Sequence, residues 1–500
     1  MSDPAFEIDI DQAEQPIVLA LDVGSTASRG ALYDAAGRPA GKRAKRPHAF
    51  TTAADGTSTI DPDEVVAELT AIIEELLEQV GDTTVGGVAI DTFASSLVGV
   101  AEDGSPLTPC ITYADARCAD EVAVLREELD EADVQQRTGT RIHTSYLAPR
   151  LRWFAREQPD LAAQVSRWMS LGEYVLHRLI GTADPGTSTA AWTGLLDRRT
   201  GEWDEQLLEV AGVTAEQLGR PRDPSDTLTP VVDVGGRWPA LAEARWFAPI
   251  TDGFASNLGN GATWPDTVVA SLATSGAMRV LIEGAPDTLP TGLWNYRVDD
   301  RRSLVGGALN DVGRAVTWAE ETLRLPEERD GLDVILRAEP DAGTPLVLPF
   351  LTGERSTGWA GGARAAVTGL TVSHQAPEIF RALMEGVVLS YARLAVQLEE
   401  AAGAPERILA SGRVGQDLPG LFALLAHAVG KPVTPVTIKR VTLHGTALHA
   451  LEVLAPDVER AAPTTGDTEQ PEADATRHFA DRLARFEELY AAIVAPTPRH

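Results

Sequence analysis

Two stretches 250 positions apart share one local architecture. Residues 20–29 read Ala-Leu-Asp-Val-Gly-Ser-Thr-Ala-Ser-Arg, and residues 270–279 read Ala-Ser-Leu-Ala-Thr-Ser-Gly-Ala-Met-Arg. At that constant offset Ala20, Ala27 and Arg29 recur as Ala270, Ala277 and Arg279. Each stretch is an apolar strand, a turn of small and hydroxyl residues, an arginine and a second apolar strand. Identities are few, so the repeated architecture carries the argument for a duplicated domain. A chain of 500 residues is too long for one compact core and suits two α/β domains of roughly 250. Two such halves facing each other leave a cleft between them.

The segments around the repeat fit an α/β class with mixed sheets. IVLALDV (17–23) and VGGVAIDT (85–92) read as buried strands. VVAELTAIIEELLEQV (65–80) has helical periodicity, and 373–401 reads as one long helix. AAPTTGDTEQPEADA (461–475) is polar and reads as a linker before a last amphipathic helix. With 44% hydrophobic and 23% charged residues, wholesale disorder and fibrous repeats are excluded. No apolar run reaches the ~18 residues of a membrane span. The acidic start MSDPAFEIDIDQAEQP lacks the pattern of a signal peptide. There are 43 basic and 73 acidic residues, a net charge of −30, with no basic patch to draw nucleic acid or an anionic membrane. Cys110 and Cys118 form neither a disulfide framework nor a zinc pattern, and the nine histidines include no HExxH. A reducing, cytoplasmic setting is expected.

Candidate chemistry gathers at the turns. Gly24, Ser25, Thr26 and Ser28 form a tight turn of small and hydroxyl residues, where backbone N–H groups converge as in a phosphate nest. Arg29 adds a bidentate cation. Asp22, at the strand end, suits a Mg²⁺ ion held through water. An ordinary hairpin turn with a structural aspartate accounts for the same residues, and Thr274-Ser275-Gly276 carries the same two readings. No GxxxxGK[ST] or strand-linked GxGxxG is present. Asp252, in ITDGFASNLGNG, is either a helix N-cap or a general base facing a hydroxyl. Tyr113, Asp115 and Arg117 either grip a polyhydroxylated molecule or form a surface ion pair.

These segments together resemble the FGGY carbohydrate kinases, within the larger group of actin-like and Hsp70-like ATPases. The resemblance runs from about 17 to 495. DVGSTASR (22–29) and LATSGAMR (272–279) resemble the family's two phosphate loops. LPFLTGERSTGW (348–359) and GLTVSHQAPEIFRALMEGV (369–387) resemble its C-terminal signature, and ILASGRVGQDLPGLFALLAHAVGKPV (408–433) its adenosine segment. Within the family, gluconate kinases are most alike, on residues 95–117, 137–153, 168–181, 251–262 and 305–318.

The resemblance implies two ribonuclease-H-like, actin-type domains with an ATP and sugar cleft between them. It implies a flexible 1–16, a sugar-side domain over 17–250, a nucleotide-side domain over 251–460, the 461–475 linker, and a helix and tail over 476–500. The implied activity is ATP-dependent phosphorylation of a terminal hydroxyl on a small sugar or sugar acid, with Mg²⁺. Asp252 matches the catalytic base and Asp22 the Mg²⁺-orienting aspartate. Gly24, Ser25, Thr26, Arg29 and Thr274 match phosphate contacts, and Gly313, Gly412 and Asp417 nucleotide contacts. Asp115, Arg117, His143, Tyr146 and Arg150 lie in segments lining the sugar side. Arg117, and after it Arg150, is the expected reader of a substrate carboxylate. No nucleic-acid or membrane partner is implied, and a homodimer is one assembly to consider.

Three positions depart from the family pattern. Ala94-Ser95-Ser96-Leu97 stands where gluconate kinases carry Trp-His-Ser-Leu, which opens a second reading: a kinase for another polyol, a pentulose or a hexulose. Ser411-Gly412-Arg413 replaces Ser-Gly-Gly, so Arg413 either fills the adenine pocket or swings out. Ala273 replaces a glycine. A catalytically inactive sugar-binding regulator is the reading from a different class.

Overall fold

The structure is a computed structural model that describes residues 6–81 and 83–494. Residues 1–5 of the expected flexible N-terminus and 495–500 of the expected tail lie outside the described residues. The first sheet contains β1 (Ile17–Val23), β2 (Ala27–Tyr33), β3 (Pro39–Pro47), β4 (Val85–Thr92), β5 (Thr227–Leu228), β6 (Arg245–Phe247) and β7 (Ile250–Thr251). Its order is β5-β6-β4-β1-β2-β3, with β7 also on β4. β1 is buried at all seven positions, as an unbroken apolar run requires in a strand covered on both faces. The second sheet contains β8 (Thr267–Leu272), β9 (Gly276–Glu283), β10 (Trp294–Arg297), β11 (Arg302–Leu309), β12 (Arg407–Ser411) and β13 (Val433–Pro435), ordered β10-β11-β9-β8-β12-β13.

The duplication is real in topology. β3-β2-β1-β4-β6 and β11-β9-β8-β12-β13 share one sequence of pairings: antiparallel, antiparallel, parallel, parallel. The constant offset fails in register. β1 and β2 pair Asp22 with Arg29, whereas β8 and β9 pair Leu272 with Gly276 and Val269 with Arg279. The second turn closes on a different residue, so Arg279 is not the spatial counterpart of Arg29.

Helix α1 (Pro62–Val80) covers one face of the first sheet. Asp61 caps it by accepting from the Asp63 and Glu64 N–H groups, and Val65, Leu69, Ile72, Ile73, Leu76 and Val80 form its buried stripe. The opposite face is covered from far along the chain. α2 (Asp252–Gly259) packs Phe254 and Leu258 beside Leu281, Trp294 and Leu304 of the second sheet. The remaining helices that bear on the site are α3 (Gly313–Thr322), α4 (Ala376–Ala402), α5 (Arg413–Asp417), α6 (Val441–Leu454) and α7 (Ala473–Ile493). α6 lies inside the stretch expected to form the second domain, yet Leu443, Ala447, Ala450 and Leu451 pack on Val18, Ala20, Ala31 and Ala89 of the first sheet. Which sheet an apolar helix covers is a tertiary choice that local periodicity does not encode.

The two halves therefore meet where α2 crosses α6. A Cβ on Gly259 would stand 1.9 Å from the Val441 carbonyl oxygen, and one on Gly445 1.7 Å from that of Ala255. Both obstacles are backbone and cannot swing aside. Gly445→Ala is expected to destabilise the protein by about 1–3 kcal/mol, the usual cost of overpacking, despite alanine's better helix propensity. A urea midpoint unchanged from wild type contradicts that packing.

Chain ends are also more integrated than their composition suggests. Phe6 is buried with Ala262, Val269, Leu409 and Val436. Within the polar 461–475 stretch, Thr465 bridges Val436 and Glu469 bridges Val433, so this segment lines a sheet edge rather than spanning free. α7 begins at Ala473 and buries Phe479 and Phe486 in the second domain's core. No helix among the described residues is long and apolar enough to cross a membrane.

Candidate active site

The C-terminal ends of β1 and β4 bring two aspartates side by side. Asp22 and Asp91 are register partners, and both are buried. Burial raises the pKa of each carboxyl; for Asp22 the Arg29 guanidinium opposes the rise, and for Asp91 the Asp22 charge adds to it. Helix α6 reaches over both. Thr442 donates to Asp22 at 3.3 Å and Thr446 to Asp91 at 2.5 Å. Sequence reasoning named Asp22 and missed Asp91. The signal was legible, because VGGVAIDT ends an apolar run on aspartate as IVLALDV does.

Arg29 pairs with Asp22 at 3.0 Å and donates to the Thr26 hydroxyl at 3.3 Å. A Cβ on Gly24 would stand 2.9 Å from the same guanidinium, so glycine lets the loop fold onto its arginine. Ser25 and Thr26 are exposed. On the second domain Thr274 and Ser275 are exposed too, and the Gly313 N–H at the start of α3 donates to the carbonyls of Ala273 (2.9 Å) and Thr274 (3.1 Å). Gly412 has φ 117°, and a Cβ there would lie 2.3 Å from the Leu272 carbonyl oxygen. The structure thus joins Gly313 to Thr274 and Gly412 to the end of β8. Arg413 swings out, its side chain 89% exposed and paired with Asp417 at 3.3 Å. It does not fill a pocket.

Asp252 opens α2 directly after β7. Burial pushes its carboxyl up to about 6, against the nearby Arg279 charge, while Asp22 pushes it further and the Gly253 and Ala94 N–H groups favour the anion. It is therefore mostly ionised at neutral pH and close to the range a general base needs. Beside it, the departing loop is used internally: Ser95 donates to the Trp192 carbonyl at 2.7 Å, and the Ser96 hydroxyl accepts from the Leu171 N–H at 2.9 Å.

The sugar-side residues divide. Arg117 chelates Asp115 through Nε and Nη2 at 2.9–3.1 Å and lies 4.5 Å over the Trp153 ring. Asp115 also accepts the Ser58 N–H at 2.9 Å. Arg150 is 2% exposed and donates to the carbonyls of Thr144 and Ser95. Arg117 is held by Asp115 and not free to read a carboxylate, a correction to the expectation above; its partner lies two residues away, where a sequence cannot tell ion pair from ligand. Arg150 forms no side-chain ion pair among the described residues, and its Nη2 is buried without a partner. Tyr146 is buried, its hydroxyl 2.7 Å from that of Tyr296, whose ring stacks at 3.7 Å on Trp192. It ties the two domains together. His143 accepts the Ser145 N–H on Nδ1 at 3.1 Å, so its proton sits on Nε2. Burial, helped by Arg355, lowers it to about 4 and keeps it neutral.

Two other guanidiniums stand open. Arg279 on β9 and Arg355 in the GERSTGW segment form no side-chain ion pair within 4 Å among the described residues, and the Nε of each is buried without a partner. Arg355 acts on His143, Tyr113, Tyr146 and Tyr296. Arg279 lies against Gly253, next to Asp252. Among the described residues no three His, Cys, Asp or Glu side chains converge as a direct metal cage. The buried Asp22 beside the open Gly24 loop suits an ion held through water instead.

Comparison with known proteins adds to this geometry. The model described as the FGGY family of carbohydrate kinases, N-terminal domain, matches residues 17–229, and the corresponding C-terminal domain model matches 268–452. The chain is 27% identical over 416 residues to a gluconokinase of Bacillus subtilis (strain 168), covering 79% of each. It is similar in fold to a gluconate kinase from Lactobacillus acidophilus, with TM-score 0.89 at 23% identity over 96% of this chain and 98% of that one. A xylulose kinase from Lactobacillus acidophilus gives TM-score 0.88 at 24% identity over 95% and 98%.

Proposed function

The chain belongs to the FGGY family of carbohydrate kinases, and from that premise we propose that it transfers the γ-phosphoryl group of ATP to the terminal hydroxyl of a sugar acid, D-gluconate, giving 6-phosphogluconate. Kinases of this family are phosphotransferases acting on alcohols, with ATP as donor. The observation that carries the finer reading is a pair of guanidiniums without a side-chain ion pair among the described residues, Arg279 beside Asp252 and Arg355 near His143. A protein of net charge −30 repels an anion at long range, although salt screens this beyond ~8 Å. Local cations must hold a carboxylate, and Arg117 is already committed to Asp115. The gluconokinase relative supports the same substrate class.

The geometry supports the following roles. The Gly24–Thr26 and Thr274–Ser275 loops hold the donor phosphates from opposite domains. Asp22 would hold a Mg²⁺ ion through its water, and the bound ion would supply neutralisation of phosphate charge. Asp252 takes the proton of the attacking hydroxyl. His143 offers its Nε2–H to an oxygen of the acceptor. Phosphoryl transfer needs mostly such positioning and charge neutralisation.

The test is kcat/KM for gluconate, glucitol, xylulose and glycerol with wild type, Arg279→Met, Arg355→Met and Arg117→Met. Loss of at least one open guanidinium is expected to cost gluconate about tenfold or more relative to the neutral substrates, the scale of a charge-assisted pair. Arg117→Met is expected to leave that ratio unchanged. A wild type that prefers a neutral substrate defeats the sugar-acid reading. It would favour the pentulose or polyol alternative, which the small Ala94 side chain and the xylulose kinase likeness support.

A further inference from the structure

The second phosphate loop has its carbonyls pinned from behind by the Gly313 N–H at the start of α3. The first loop lies between β1 and β2, and among the described residues no backbone N–H at a helix start donates to its carbonyls. We infer that His48, braced by Glu68, does the same work for the first loop and thereby sets nucleotide affinity; this rests on reading Gly24–Thr26 as a phosphate loop.

His48 follows β3, and its own N–H donates to the Thr26 carbonyl at 3.1 Å. Its ring Nε2 is 2.8 Å from the Gly24 carbonyl oxygen. A carbonyl only accepts, so the ring donates there. Nδ1 is 2.8 Å from Glu68 Oε2; with Nε2 already donating, this contact holds a second proton, carried by the ring or by the carboxyl. Oε2 also accepts the Ser28 hydroxyl at 2.7 Å. The His48 side chain is 2% exposed and Glu68, on α1, 11%. Helix α1 therefore braces a strut whose far end holds one peptide of the loop. In a trans peptide the C=O and the following N–H point in opposite directions. With the Gly24 carbonyl drawn back onto His48, the Ser25 N–H faces the other way and has no backbone acceptor among the described residues, while Ser25 and Thr26 are exposed. A preset amide loses no orientational freedom when an anion arrives, which is where preorganisation gains affinity. His48 is a positioning residue: it touches the loop, not the substrate.

The experiment measures ADP binding by calorimetry on the full chain, alongside KM for ATP and for the sugar. His48→Ala is expected to weaken ADP about tenfold and raise the KM for ATP, with kcat and the sugar KM little changed. His48→Gln, whose amide nitrogen reaches the Nε2 position, is expected to restore most of the affinity. Glu68→Ala is expected to resemble His48→Ala, and the double variant to be no worse than either, because Glu68 acts through His48. ADP affinity within twofold of wild type in both single variants overturns the inference, as does an equal rise in both KM values. Gly24→Ala tests the underlying reading separately. If it leaves ADP binding intact, the loop holds no phosphate and the strut falls with it. If it weakens ADP while folded His48→Ala and His48→Gln do not, the strut alone is wrong.

Discussion

Asp252→Asn is expected to lower kcat by about 10²–10⁴-fold, the usual worth of a positioned general base, with ADP binding unchanged. The substitution leaves the Gly24–Thr26 and Thr274–Ser275 loops unchanged. The same carboxyl predicts a pH limb. Its pKa is raised to about 6 by burial, so wild-type kcat is expected to fall below that pH while the residual activity of the variant stays flat. A stability signature accompanies it. The folded pKa lies above the unfolded value of 3.8, so the folded state binds this proton more tightly. The stabilisation from protonation is full below pH ~4 and lost as pH rises through ~6. At pH 8 the ionised, buried carboxylate costs on the order of 2–3 kcal/mol. Asp252→Asn is therefore expected to melt higher than wild type at pH 8, with the difference vanishing near pH 4, Arg279 giving back part of the gain. Turnover above half of wild type excludes Asp252 as the base.

Asp22→Ala carries the second large effect. The carboxylate anchors Arg29 from one side and Thr442 of α6 from another, so it links the first loop to the helix between the domains. Its loss is expected to raise the Mg²⁺ concentration for half-maximal activity by about 10–100-fold, the scale seen when a residue orienting a metal's shell is removed. Added Mg²⁺ should recover part of the rate. The remaining deficit reflects an Arg29 released from its partner. Titration of activity with Mg²⁺ in both proteins checks this, and an enzyme indifferent to the substitution and to Mg²⁺ has no metal role for Asp22.

Much of the site was legible because strand ends and turns are local. The apolar runs closing on Asp22 and on the 272–276 turn read directly as strand–turn–strand, and both hairpins form. What failed was anything that register or tertiary choice decides. The offset of 250 pairs Arg279 with Arg29 on paper, but the turn fixes Leu272 against Gly276 and leaves Arg279 beside Asp252. Arg355 lies in the LPFLTGERSTGW segment with no role that local sequence assigns, because only the fold brings residue 355 to His143. Arg117 looked like a substrate cation because its partner, Asp115, was itself counted among the ligands. Asp91 is the plain omission. Its strand repeats the pattern of β1, and adjacency in a parallel sheet puts both aspartates at one edge.

The most direct test of the account is phosphorus NMR of the product formed from ATP and D-gluconate, with Asp252→Asn as control. One new phosphate-ester signal is expected, split into a triplet by the two protons of a terminal CH₂–O–P group, with almost none from the variant over the same time. A doublet, marking a secondary hydroxyl, orthophosphate as the only new signal, or an equal yield from Asp252→Asn would contradict it.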